Sequence, residues 1–131
     1  MSNSLIDRNI AAVRKLCERW PWLTAAEFSE IMTADCDYRN VPIAGDQHIG
    51  PVAAHEVLSR IRDKWDVELT VLAIVGNETR VLTERNERFV HKAGKKPTFD
   101  LPVMGVCEMR DGKIAAWRDY FDMQAWLRQT T

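Results

Sequence analysis

Alternating charged and aromatic residues in the second half of the chain could carry chemistry. Arg85 and Glu87 are two residues apart in one predicted strand. In a second predicted strand, Trp117, Asp119 and Phe121 occupy alternate positions. Because side chains of a strand point alternately to its two faces, Arg85 and Glu87 share one face, and Asp119 shares a face with two large rings. A carboxyl group among rings is desolvated, which is an environment that tunes acids and bases.

The same residues have a second interpretation without chemistry. Arg85 and Glu87 would then form an ordinary surface pair, and Asp119 would pair with a nearby arginine, since alternating charges are common on strands. Tyr38 and Asn40, two residues apart in an earlier extended segment, would be a packing residue and a turn residue. The residue pattern by itself favours this second interpretation.

The first half of the chain has helical spacing. Apolar residues recur every three or four positions at Ile6, Ile10, Val13 and Cys17, which predicts an amphipathic helix. Thr24 and Glu27 form a capping-box pattern that begins a second helix, with Phe28, Ile31 and Met32 on its apolar face. The Gly50-Pro51 pair opens a third helix, because proline is tolerated in a first turn.

The period changes to two after Trp65. Val67, Leu69, Val71, Ala73 and Val75 alternate along one predicted face. Further strands are predicted over residues 79–90, 99–109 and 114–121, with a hairpin at Asp111-Gly112 and a short closing helix. Leu101 and Val103 lie on one lining face of the middle strand. Helices followed by antiparallel strands indicate an α+β fold rather than alternating βαβ units.

Composition narrows the function classes. The 131 residues suit a single domain over 1–131, and 18 basic against 19 acidic residues predict neither nucleic-acid nor membrane binding. The three cysteines are widely spaced and predict neither a zinc site nor a disulfide framework. The first residues lack the basic and then apolar pattern of a signal peptide. We therefore expect a cytoplasmic protein. Four tryptophans are expected in the core: Trp20, Trp22, Trp65 and Trp126. Three histidines are expected on the surface: His48, His55 and His91.

Longer motifs resemble the limonene-1,2-epoxide hydrolase family. They are YRNVP (38–42), TERNERF (83–89), LPVMGV (101–106), DGKI (111–114) and WRDYFD (117–122), of which the last is the most specific. The resemblance covers most of the chain after about residue 24. It implies a curved, mostly antiparallel sheet with N-terminal helices packed on its concave face, a single interior pocket and a homodimer.

The resemblance also implies roles for individual residues. Asp119 corresponds to the family's base, Arg85 to its bridging arginine, and Glu87 to its acid. Tyr38 and Asn40 correspond to the pair that positions the water. The chain departs from the family at Glu87, where the family has Asp, so its acid is one methylene longer. The substrate-binding wall is expected to include Leu101, Val103, Trp117 and Phe121.

Epoxide opening is consistent with this set of residues. Near neutral pH the attacking water must lose a proton while the ring oxygen gains one, so one carboxyl must be ionised and the other protonated. The expected partners are a small apolar epoxide and water, with no metal or organic cofactor. Two alternatives are a non-catalytic domain that binds a small ligand, and an isomerase or cyclase of the ketosteroid-isomerase type that uses Asp119 as a base on carbon.

Overall fold

The computed structural model describes residues 2–131, and side chains from residue 4 onward. Met1, at which the predicted domain begins, lies outside the described residues. The described residues form four α-helices: Ser2–Arg19 (α1), Ala25–Ile31 (α2), Pro51–Lys64 (α3) and Met123–Thr130 (α4). They also form six strands: Met32–Asn40 (β1), His48–Ile49 (β2), Trp65–Gly76 (β3), Arg80–His91 (β4), Phe99–Arg110 (β5) and Lys113–Tyr120 (β6). A short 3-10 helix, Trp20–Trp22, follows α1.

All six strands belong to one open sheet in the order β2-β1-β6-β5-β4-β3. The pairing of β1 with β6 is parallel and the other pairings are antiparallel. We call the face covered by the helices the inner face, and the opposite one the outer face. The predicted α+β class and its mostly antiparallel sheet are confirmed. Residues 2–131 contain no helix both long and apolar enough to cross a bilayer.

Local signals place most element boundaries. The capping box is formed, since the Glu27 amide donates to Thr24 Oγ1 and the Thr24 amide donates to Glu27 Oε1, both at 3.1 Å. The hairpin between β5 and β6 turns at Asp111 and Gly112, whose φ angles of 53° and 78° are left-handed. Met32 was wrongly assigned to the second helix: its φ of −119° and ψ of 150° are extended, and it begins β1.

A β-bulge corrects the predicted face of β3. The register with β4 shifts between Val71 and Ala73, so Leu72 is the extra residue and each later residue changes face. Val75 pairs with Leu82 on the outer face and is 62% exposed, while Ile74 pairs with buried Thr83. The expectation that Ala73 and Val75 continue the inner face was therefore wrong.

The tryptophan prediction holds in part. Trp20 and Trp65 are buried and Trp126 packs partly buried against the core, but Trp22 is 61% exposed. Trp20 and Trp22 lie two positions apart in a 3-10 turn. With three residues per turn, two positions correspond to about 240° of rotation, so the two rings cannot face the same side.

A buried asparagine joins α1 to the hairpin between β3 and β4. Asn9 is fully buried, and its Nδ2 donates to the backbone oxygens of Asn77 at 3.0 Å and Glu78 at 3.1 Å. These carbonyls belong to a turn between β3 and β4, so the asparagine gives them a donor that the strand ladder does not supply.

Replacement of this asparagine should destabilise the fold. We expect Asn9→Ala to lower the free energy of unfolding by about 1–3 kcal/mol, because two hydrogen bonds from a fully buried side chain are lost. Asn86→Ala is the matched control, since Asn86 donates to exposed Asp100 at the surface, and surface changes of this kind cost at most about 0.5 kcal/mol. Urea denaturation measures both; an equal loss in the two variants would contradict the assigned role.

Candidate active site

The structure brings the five predicted polar residues together on the inner face. Tyr38 and Asn40 lie on β1, Asp119 on β6, and Arg85 and Glu87 on β4. The parallel register pairs Asn40 with Asp119, so β1 and β6 deliver their side chains side by side. Strand β5 separates β6 from β4, and the side chain of Arg85 reaches across it to Asp119.

A glycine in β5 makes this reach possible. Gly105 pairs with Asp119 on one side and Thr83 on the other. A Cβ at Gly105 would lie 2.8 Å from Thr83 Oγ1, 2.9 Å from Asp119 Oδ1 and 3.3 Å from Arg85 Nη2. The ion pair therefore occupies the space that a side chain would take. Sequence reasoning missed this role, for which the signal is a glycine inside a strand.

Arg85 bridges the two carboxyl groups. Its side chain is 1% exposed; Nη2 donates to Asp119 Oδ1, and Nη1 donates to Glu87 Oε2 at 3.3 Å. Asp119 Oδ1 also accepts from Trp117 Nε1 at 2.8 Å. Within the described side chains, Asp119 Oδ2 receives no hydrogen bond, so this oxygen is available to a bound molecule.

The two carboxyl groups have different environments. Burial raises the pKa of Glu87 to about 7; the Arg85 charge opposes this shift and the Asp119 charge adds to it. Burial also raises the pKa of Asp119, but the Arg85 guanidinium and the Trp117 indole N–H both favour its ionised form. Asp119 therefore has two close donors for its charge, whereas Glu87 has a longer contact with Arg85. These contacts favour the ionised form of Asp119 over that of Glu87.

Tyr38 and Asn40 form a polar pair next to Asp119. The Tyr38 ring stacks on Trp117 with centroids 4.0 Å apart, and its hydroxyl accepts from Asn40 Nδ2 at 3.2 Å. Burial raises the pKa of Tyr38 well above its usual value, so this residue stays a neutral hydroxyl. The pair can therefore donate to and accept from a water molecule without adding charge.

A cavity of about 80 Å³ opens above these groups. This is several times the roughly 10–15 Å³ that one water requires. Its lining includes all four predicted wall residues, Leu101, Val103, Trp117 and Phe121, together with Tyr38, Asn40, Glu87 and Asp119. Arg85 lies behind this lining and does not reach its surface. Sequence reasoning missed six further lining residues: Trp20, Ile43, Leu58, Ile61, Phe89 and Trp126.

The missed wall residues come from elements that approach the sheet in three dimensions. Leu58 and Ile61 lie on α3, and the sequence predicts this helix but not which part of the sheet it covers. Trp126 belongs to α4 and stands edge-on to Phe89 at 5.3 Å between centroids. Within residues 4–131 there is no cluster of three or more His, Cys, Asp or Glu side chains placed to hold a metal ion.

Comparison with known proteins assigns the family. A family model described as "Limonene-1,2-epoxide hydrolase catalytic domain" matches residues 9–131. The chain belongs to this family. The resemblance visible in the motifs is thereby confirmed, and the match begins within α1, ahead of the motifs.

Solved structures share the fold. An LEH-like epoxide hydrolase from M. tuberculosis is 24% identical over 94% of this chain and 89% of its own, with a TM-score of 0.76. A candidate polyketide cyclase from Xanthomonas campestris pv. campestris is 22% identical over 97% and 99%, with a TM-score of 0.77. A candidate SnoaL-like polyketide cyclase from Jannaschia sp. CCS1 is 15% identical over 95% and 92%, with a TM-score of 0.81. Likeness at these identities establishes the fold and not the activity.

The raised pKa of Glu87 makes a prediction about stability. Between pH 4.5 and about 7 the unfolded chain releases this proton while the folded protein keeps it, so wild-type stability falls as pH rises through this window. Gln cannot ionise. We therefore expect the free energy of unfolding of Glu87→Gln, relative to wild type, to rise by up to about 3 kcal/mol across the window and then level off.

Denaturant titrations at several pH values measure this difference. Glu108→Gln is the control of opposite sign, because the hydrogen bond from Arg118 holds the pKa of Glu108 below its usual value. The free energy of unfolding of Glu108→Gln, relative to wild type, should therefore fall as the pH rises from the acidic range. A flat difference for Glu87→Gln would show that Glu87 is ionised in the folded protein at pH 5.

Proposed function

We propose that the protein adds water to a small apolar epoxide to give a vicinal diol, by one-step general acid and base catalysis. The observation that carries the proposal is the buried Arg85 bridge between Asp119 and Glu87, whose environments separate their protonation states. A domain that merely binds an apolar ligand gains nothing from two buried carboxyl groups, each of which is costly to desolvate.

The reaction would proceed as follows. Tyr38 and Asn40 hold a water beside the free Oδ2 of Asp119. That oxygen takes one proton as the water oxygen bonds to an epoxide carbon, and the carbon–oxygen bond of the ring breaks. The ring oxygen takes the proton of Glu87. Asp119 ends protonated and Glu87 ionised, and a proton exchanged through solvent restores the starting state. Both proton transfers fall within the usual scope of general acid and base catalysis.

Glu87 suits the acid role in its environment here. Its pKa of about 7 leaves a substantial protonated fraction near neutral pH, close to the optimum for a proton donor. The added methylene relative to the family's Asp moves the carboxyl by roughly 1–1.5 Å. The apolar lining of the cavity selects a small apolar substrate.

A second candidate is proton removal from a carbon acid by Asp119, as an isomerase or cyclase would use it. The fold shared with candidate polyketide cyclases supports this alternative. The product distinguishes the two functions, because hydration adds an oxygen from solvent whereas isomerisation adds none.

The test is diol formation from limonene oxide, cyclohexene oxide and styrene oxide. Asp119→Asn should lower the single-turnover rate by at least 10²–10⁴-fold while the fold persists, because the amide is nearly isosteric but cannot accept the water's proton. Glu87→Gln should be nearly as damaging, whereas Glu87→Asp keeps an acid and should retain measurable activity.

Isotope labelling gives the mechanism its own readout. In ¹⁸O-water the label should enter the diol on the first turnover, because no ester to the protein intervenes. Arg88→Gln is the control for Asp119→Asn: Arg88 forms an exposed pair with Asp100 on the outer face, and its loss should leave the rate unchanged. Wild-type rates in Asp119→Asn would rule out Asp119 as the base.

We also propose that the protein is a homodimer formed through the outer face of the sheet. Five large apolar residues lie exposed on the neighbouring strands β3 to β6: Leu72, Val75, Leu82, Met104 and Tyr120. An exposed apolar patch across several strands is typical of a protein interface, and a two-fold axis would pair the patch with itself. A cytoplasmic location is proposed as well, consistent with three free, buried cysteines.

Light scattering at micromolar concentration tests the dimer. The wild-type mass should be twice that of the chain, and Met104→Glu should shift it toward the monomer, because a buried unpaired charge would be introduced at the interface. Val52→Glu is the matched control, an equally exposed apolar residue on α3, away from the patch. A monomeric wild type would refute this assembly.

A further inference from the structure

Next to Asn40 lie two further polar side chains, Asp46 and His48, which do not line the cavity. Asp46 Oδ2 accepts from the Asn40 backbone N–H at 2.7 Å and from Asn40 Nδ2 at 3.3 Å. Its other oxygen, Oδ1, is 2.9 Å from His48 Nε2. The side chains of Asp46 and His48 are 13% and 22% exposed. His48 is thus neither exposed nor without a partner, in contrast to the expectation from sequence.

The loop between β1 and β2 folds back so that Asp46 lies next to Asn40. The Ile43 amide donates to the Asn40 oxygen at 3.0 Å, and the Asp46 amide donates to the Ile43 oxygen at 3.1 Å, so two successive turns reverse the chain. Its start is tied to β6 by the Val41 amide, which donates to the Asp119 oxygen at 3.0 Å. The loop therefore connects Asp46 to the two strands that carry Asn40 and Asp119.

The carboxylate determines which way the Asn40 amide points. A carboxylate offers acceptors and no donor, so the group facing it must be Nδ2 and not Oδ1. The second hydrogen of Nδ2 is directed to the Tyr38 hydroxyl at 3.2 Å. Asn40 Oδ1, which the Tyr38 hydroxyl approaches to 3.4 Å, then remains as the acceptor for a hydrogen of the attacking water.

We propose that Asp46 and His48 are positioning residues that fix the orientation of the Asn40 amide, and thereby that of the attacking water. The inference rests on the proposed hydrolysis. Asp46 holds the amide through two hydrogen bonds, and His48 engages the remaining oxygen of Asp46 so that its rotamer is restrained. Neither side chain touches the substrate in this arrangement.

Asp46→Ala should reduce turnover without weakening substrate binding. We expect kcat for epoxide hydration to fall about 10- to 100-fold, because the water is misplaced, with KM changed by less than about threefold. Asp46→Asn should recover most of the loss, since its amide oxygen can replace Oδ2 as acceptor. His48→Ala should act in the same direction with a smaller effect.

A matched control separates positioning from loop stability. Asp37 also lies on β1 and accepts from the same loop, with Gln47 Nε2 at 3.1 Å, but it has no contact with Asn40. Asp37→Ala should leave kcat within about twofold of the wild-type value, as expected of a surface change.

A double-mutant cycle with Asn40→Ala is the second control. In the Asn40→Ala background, Asp46→Ala should have little further effect on kcat, because the amide that Asp46 orients is gone. If the kcat losses of the two single variants multiply in the double variant, the proposal is overturned.

Nuclear magnetic resonance provides a readout that does not depend on activity. The two side-chain amide protons of Asn40 should be distinct and slowly exchanging in the wild type and in Asp37→Ala, and should lose this protection in Asp46→Ala. If the wild type hydrates none of the epoxides, the proposed function fails while this measurement still tests the orientation. Unchanged Asn40 signals in Asp46→Ala would overturn the positioning role whatever the reaction.

Discussion

The buried guanidinium of Arg85 constrains the site more than any other group. A charge taken out of water is tolerated when it is paired, and loss of one partner leaves an uncompensated charge that typically costs several kcal/mol. Glu87 and Asp119 share this pairing, so one can still compensate the charge when the other is replaced, although they come from strands separated by β5. Gly105 provides the space between them. Strand order, one glycine and two carboxyl groups are thus required together.

Burial generates the reactivity of this group of residues. The same desolvation that raises the pKa of Glu87 to about 7 raises that of Cys17 to about 12, and the pKa of Tyr38 well above its usual value. The interior between the helices and the sheet therefore holds neutral thiols, a neutral hydroxyl and a carboxyl group with a raised pKa around one fixed positive charge. This is a suitable environment for proton transfer, and it depends on the cover provided by α1, α3 and the aromatic rings, not on the sheet alone.

The fold does not determine the chemistry. Candidate polyketide cyclases share the backbone arrangement at TM-scores of 0.77 and 0.81, with low sequence identity. The chemical character of this site lies in individual side chains: the buried Arg85 with its two carboxyl partners, and the Asp46 and His48 pair behind Asn40. Function is thus decided by a few atoms on a common scaffold.

The sequence by itself determined the features that depend on neighbours along the chain. The capping box at Thr24, the hairpin at Asp111 and Gly112, and the alternation that places Arg85 and Glu87 on one face all follow from local backbone geometry. Motif resemblance added the grouping of these two residues with Asp119, which no spacing could supply. Each of these features can be read within a few consecutive residues or matched to a family motif.

Tertiary structure alone decided the rest. The bulge at Leu72 exists because β3 must stay in register with β4, and the exposure of Trp22 depends on where a 3-10 turn meets the core. The role of Gly105 appears when Arg85 crosses above it. Asp46 reaches Asn40 because two turns fold the loop back. Such features arise from contacts between segments distant in sequence, whose geometry no local periodicity encodes.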